Sequence, residues 1–154
     1  MKKIKFHGLL RIYTGGMGGG KTHQVISDSN QRLHNLNEPV LVIQPGVSIR
    51  DNIDDSGQTR ARSSVSAGSK IVPYDNPFEV LDLAREKKLV TFVDSHMFVS
   101  GPIVAVVYGL LKSGIDVNLD CLKFDYGGKV FPVLADLIHS AEKINYYFRK
   151  CLKR

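Results

Sequence analysis

Apolar residues in this chain fall into short unbroken runs set between amphipathic stretches. Pro39–Pro45 (Pro-Val-Leu-Val-Ile-Gln-Pro) and Leu89–Asp94 (Leu-Val-Thr-Phe-Val-Asp) are continuous rather than alternating. Runs of that length and kind are expected of strands buried on both faces. Gly8–Thr14 is a third strand-length run, Ser69–Tyr74 a shorter one, Asp116–Leu122 alternates in part, and Lys143–Phe148 closes the series. Between them the spacing predicts helices. One follows Thr22, with Val25, Ile26, Ser29 and Leu33 near one face. Another opens at Asn76-Pro77 and runs to about Lys88, with Asn76 as its cap and Pro77 in its first turn. A third runs from Gly101-Pro102 through about Lys112, and the last from Phe131 to Glu142. Gly46–Gly68 is polar, rich in Ser, Asp and Arg, and without period, which reads as a long loop.

Strands alternating with helices predict an α/β fold with a mostly parallel sheet and helices on both faces. Ligands in such folds bind at the carboxyl ends of the strands. Three features lie at such ends: a glycine-rich loop after Thr14, Asp94, and the loop after Leu122.

Length and charge narrow the picture. The 154 residues suffice for one domain spanning 1–154, and a hydrophobic share of 43% is ordinary for a folded protein. The longest apolar run, Ile103–Leu111, is too short to span a bilayer, so no membrane partner is expected. Lys5, His7 and Arg11 interrupt any signal-like segment, and a cytoplasmic protein is the simplest expectation. Cys121 and Cys151 make neither a disulfide framework nor a complete metal site. The formal charge of +6, with small clusters at each end, favours an anionic partner. A nucleotide satisfies that, and the basic surface leaves nucleic acid open. A merely solvated surface is the plain alternative.

Gly15-Gly16-Met17-Gly18-Gly19-Gly20-Lys21-Thr22 fits the phosphate-cradle pattern G-x-x-x-x-G-K-[ST]. Glycines let successive backbone N–H groups turn toward one anion. Lys21 adds a charge for the β- and γ-phosphates of ATP, and the Thr22 hydroxyl can hold Mg²⁺. A strand precedes the loop and a helix follows it, so phosphate would meet a helix N-terminus. Asp94, closing an apolar strand, is a second candidate for Mg²⁺. A turn or N-cap aspartate is its structural alternative.

With these residues in view, the sequence resembles the type II thymidine kinases. Met17 fits that family's loop, roughly G-x-M-x-[SA]-G-K-[ST]. Gln44–Asp51 is similar to its K-P-A-x-D-x-R segment, Arg62-Ser63-Ser64 to its S-R-x-G, and Phe92–Phe98 to its V-D-E-A-Q-F. Cys121–Phe131 resembles G-L-x-x-D-F-x-G-x-x-F, and the blocks run in the same order over nearly the whole chain. The resemblance implies a RecA-like P-loop core that transfers the γ-phosphate of ATP to the 5′-hydroxyl of a deoxynucleoside. It implies that Gly15–Thr22 cradle the triphosphate, that Asp94 serves Mg²⁺, and that Arg50 and Arg62 flank the phosphates or a mobile loop. Phe98 and Tyr126 would stand near the acceptor base, with core packing as the alternative for both.

Three departures accompany the resemblance. The family's general base is the glutamate after the strand aspartate, and Ser95 stands there instead. A serine needs a base of its own to take a hydroxyl proton at neutral pH. His96 is adjacent, but neighbours on an extended segment point to opposite sides. Gln44 replaces a lysine. Family members continue past the first cysteine into a zinc lobe and a lasso loop over the nucleoside, whereas this sequence stops at Arg154. No zinc is therefore expected, and no certain catalytic residue is assigned. The function expected is nucleotide binding with Mg²⁺, accompanied by phosphoryl transfer. The alternative is an inactive nucleotide-binding regulator or assembly subunit. A homo-oligomer or a place in a larger assembly is expected in either case.

Overall fold

In the computed structural model the described residues are 7–15, 21–46, 69–125 and 127–147. They form one six-stranded sheet. Its strands are β1 (Leu10–Gly15), β2 (Val40–Pro45), β3 (Ser69–Val72), β4 (Leu89–Phe92), β5 (Asp116–Leu122) and β6 (Lys143–Tyr147). The order across the sheet is β3-β2-β4-β5-β1-β6, and every neighbouring pair is parallel. The helices are α1 (Lys21–His34), α2 (Val80–Leu83), α3 (Ser100–Lys112) and α4 (Pro132–Leu137), with 3-10 turns at Ser95–Met97 and Ile138–Ser140. The α/β architecture expected from the alternation is the one observed.

The unbroken apolar runs have a direct cause. Successive strand residues face opposite sides of the sheet, and both sides are covered. Leu41 and Ile43 of β2 and Val90 and Phe92 of β4 enter one core cluster; Val40, Val42, Leu89 and Val93 enter the other. The first cluster is closed by Ile103, Val106, Val107, Leu110 and Leu111 of α3 and by Val133, Leu134 and Leu137 of α4. The second is closed by Val25 and Ile26 of α1, with Leu33 packed against it. Each such side chain contributes about 1.5–3 kcal/mol on burial.

The course of the chain explains why the helices divide between faces. From β1 it moves outward to β2 and β3, then returns to β4 and proceeds the other way to β5 and β6. Parallel crossovers keep one hand, so reversing direction switches the face that the connecting helix covers. All strands point the same way. Hence Gly15, Pro45, the turn after Phe92 and Leu122 share one edge of the sheet.

An ionic clamp fixes the opposite end of α1. Arg32 Nε donates to Glu38 Oε1 at 2.6 Å and Nη1 to Asp116 Oδ2 at 2.9 Å. The other oxygen of Asp116 accepts Leu9 N–H at 2.9 Å. The last turn of α1 is thereby tied to the start of β5 and to the approach to β1.

Two helices are shorter than the spacing predicts. From Asn76 to Lys88, regular α-helix is limited to Val80–Leu83, and Glu79 rather than Asn76 stands at its cap, without a side-chain cap bond. Val80, Leu81 and Asp82 N–H reach back three residues, to Pro77, Phe78 and Glu79, before the four-residue pattern begins. Glu86 then takes φ 67 and stops the helix. After Pro77 only Val80 and Ala84 are buried here, too few anchors to extend it. The last helix likewise gives way after Leu137 to the 3-10 turn Ile138–Ser140.

Candidate functional site

β1 stands between β5 and β6 and ends at Gly15, while α1 opens at Lys21. The carboxyl end of an inner strand therefore comes just before a helix N-terminus in the chain. Gly15 has φ 148, a conformation that favours glycine, and its carbonyl accepts Lys123 N–H at 3.1 Å. The first turn of α1 carries no acidic residue, which suits an anion at that terminus. Gly16, Met17, Gly18, Gly19 and Gly20 lie outside the described residues, as does the side chain of Lys21.

Thr22 is the first fully described side chain of this helix. Its Oγ1 donates to Asp120 Oδ2 at 2.5 Å. Asp120 is completely buried on β5 and, by alternation with Leu119 and Cys121, faces α1. The motif reading missed this residue. A legible signal existed: an acid inside a buried apolar strand, flanked by Leu119 and Cys121, is costly unless it is satisfied.

Asp94 follows β4 in left-handed backbone (φ 53, ψ 44) and is half-buried. It begins the 3-10 turn through Ser95–Met97, which differs from the extended segment that the sequence predicts. Two side chains of the turn consequently reach β5. Ser95 Oγ, fully buried, donates to the main-chain oxygen of Asp120 at 2.9 Å. His96 Nδ1 accepts Leu122 N–H at 3.2 Å, so that nitrogen carries no proton in this arrangement. The His96 ring also packs on Phe131, with centroids 4.9 Å apart and planes at 50°. Asp120 is thus held twice, through its carboxylate by Thr22 and through its carbonyl by Ser95.

The segment after β5 is a tight hairpin. Phe124 and Val130 form an antiparallel bridge, and Asp125 Oδ1 accepts Gly127 N–H at 2.8 Å and Lys129 N–H at 3.0 Å. Phe124 and Val130 are exposed, and Lys123 Nζ lies 5.1 Å from the Phe124 ring centre. Lys123 N–H joins this hairpin to Gly15. Tyr126 lies outside the described residues, and so do Arg50, Arg62 and Cys151. Phe98 is buried and meets Phe92 edge-on, centroids 6.1 Å apart, within the core. Gln44 is buried on β2, next to β4 rather than β1. The structure therefore gathers Gly15, Thr22, Asp94, Ser95, His96 and the hairpin at one sheet edge, with Asp120 among them.

Mg²⁺ takes few protein ligands and completes its shell with phosphate and water. The described residues contain no cluster of three or more His, Cys, Asp or Glu suited to a metal. The hydroxyl of Thr22, held by a buried carboxylate, and the half-buried Asp94 at the same sheet edge are donors that such an ion uses, so these residues fit Mg²⁺-nucleotide. Among the described residues no helix is long and apolar enough to cross a membrane.

A parallel sheet covered on both faces, with a helix opening shortly after an inner strand ends, is consistent with the core of a nucleotide-binding kinase. The thymidine kinase family model matches residues 8–153, and the chain belongs to that family. The thymidine kinase of Onion yellows phytoplasma (strain OY-M) is 26% identical over 143 residues, covering 93% of this chain. The chain spans just under two thirds, 66%, of that relative's length.

Proposed function

We propose that the chain binds Mg²⁺-ATP, or a related nucleotide, at Gly15–Thr22. We further propose that it passes the γ-phosphate to the 5′-hydroxyl of a deoxynucleoside seated beside the hairpin 123–131. The observation that carries this reading is the contact of Thr22 with a buried acid at the N-terminus of α1, in a chain of the thymidine kinase family. In this reading the loop amides and Lys21 hold the β- and γ-phosphates. Thr22 and Asp94 hold Mg²⁺, which neutralises charge developing on the transferred group. Arg50 and Arg62 flank the phosphates, and Phe98 and Tyr126 belong to the acceptor side, Phe98 from within the core. Self-association, a basic surface open to nucleic acid and a cytoplasmic setting belong to the same reading.

One observation favours a second reading, a nucleotide-binding protein without transfer, acting as a regulator or assembly subunit. The only proton of Ser95 is committed to Asp120 O, so Ser95 offers no base to the acceptor hydroxyl. Calorimetric titration with Mg²⁺-ATP tests binding. Lys21→Ala removes charge-assisted contacts and is expected to weaken affinity at least about tenfold. Unchanged affinity in that variant refutes both readings. Thymidine-dependent release of ADP separates them: turnover supports transfer, and binding without turnover supports the second.

A further inference from the structure

Asp120 is a carboxylate that the order of motifs does not single out. Its Oδ2 accepts the Thr22 hydroxyl at 2.5 Å, with Asp120 fully buried and Thr22 half-buried. A hydroxyl that gives its proton to a carboxylate leaves its lone pairs directed away from that contact, the arrangement that a hard cation needs. β5 is hydrogen-bonded directly to β1, whereas β4, which leads to Asp94, is one strand further out. With neighbouring strands about 4.8 Å apart, β4 lies roughly two strand spacings from β1. Ser95 Oγ fixes Asp120 from the side of the Asp94 turn.

We infer that Asp120 is the carboxylate that orients Thr22 for the divalent cation of the bound nucleotide, a second acid beside Asp94, to which order along the chain assigns the cation itself. The inference rests on nucleotide binding as proposed above. Asp120 acts through Thr22 and is a positioning residue. It sets the lone pairs of the hydroxyl and adds negative charge behind them, as outer-shell partners of metal sites do.

The test is calorimetric titration of the whole chain with ATP, once in EDTA and once with Mg²⁺, the ratio of the two affinities being the readout. Asp120→Asn keeps the side-chain shape and removes the charge. The ratio is expected to fall about tenfold or more, while affinity in EDTA stays within about threefold. A purely structural role would lower both affinities alike and leave the ratio intact; that result overturns the inference. Thr22→Val, which keeps the shape and removes the oriented hydroxyl, is expected to lower the ratio as far as Asp120→Asn does. A Thr22→Val chain that keeps the ratio overturns the inference even where Asp120→Asn fails to fold. An unmutated chain that binds ATP equally with and without Mg²⁺ overturns it as well, leaving nucleotide binding in place. An unmutated chain that binds no ATP at all overturns both.

Discussion

Ser95 shows how much one position can reveal before and after its geometry is known. The order of residues exposes it as a serine where the resemblance to type II thymidine kinases implies a glutamate. Only the turn shows that its hydroxyl faces Asp120 O at zero exposure, spent on main chain. Loss of that bond in Ser95→Ala is expected to cost about 1 kcal/mol. Thermal melting should register a decrease of roughly 2–4 °C, with ATP affinity unchanged. Ser95→Glu would force a charge into a closed notch, so it should melt lower still and gain no thymidine turnover. Turnover appearing in the glutamate variant would mean that the side chain reaches the acceptor after all. Asp120, by contrast, was missed in the sequence because its meaning comes from Thr22, far away along the chain and joined to it only by β1–β5 pairing.

At the level of elements, strands were more legible than helices. β2, β4 and β5 lie where the apolar runs predict, because burial on both faces writes an unbroken signature. The segment around α2 was over-read: Asn76-Pro77 is a plausible helix start, yet few buried anchors follow. The 3-10 turn after Asp94 had no periodic signal at all. Polar matching between elements was equally silent in the sequence. Ser29 Oγ of α1 lies 2.6 Å from Thr91 Oγ1 of β4, both buried, and Ser29 also donates to Val25 O at 2.9 Å. Thr91 must therefore donate to Ser29. Ser29→Ala leaves the Thr91 hydroxyl buried without this acceptor and should cost about 1–3 kcal/mol. Thr91→Val keeps the shape and should cost less. The double variant should then fall short of the summed losses by about 0.5 kcal/mol or more in urea unfolding. Strict additivity would show that the pair does not couple α1 to the sheet.

For the molecule as a whole, the sheet sets a gradient of stability from its centre to its rim. β1, β5 and β4 each pair with a strand on both sides. Their residues Ile12, Leu119 and Val90 are fully buried. Among the described residues β3 is a rim strand of four residues that pairs only with β2, and just Val72 of it is fully buried. The candidate site draws on the centre: Gly15 ends β1, Asp120 is in β5, and Asp94 follows β4. Amides that open only with global unfolding should therefore cluster behind the site, and those of β3 should open locally. In native-state hydrogen exchange, Ile12, Val90 and Leu119 are expected to exchange last, with β3 amides faster by roughly 100-fold or more. Equal protection across the sheet would mean that the rim unfolds only with the centre. The central pattern gives the proposed phosphate site a rigid base, because the strands that carry Gly15 and Asp120 cannot separate without loss of the core that α1 and α3 enclose.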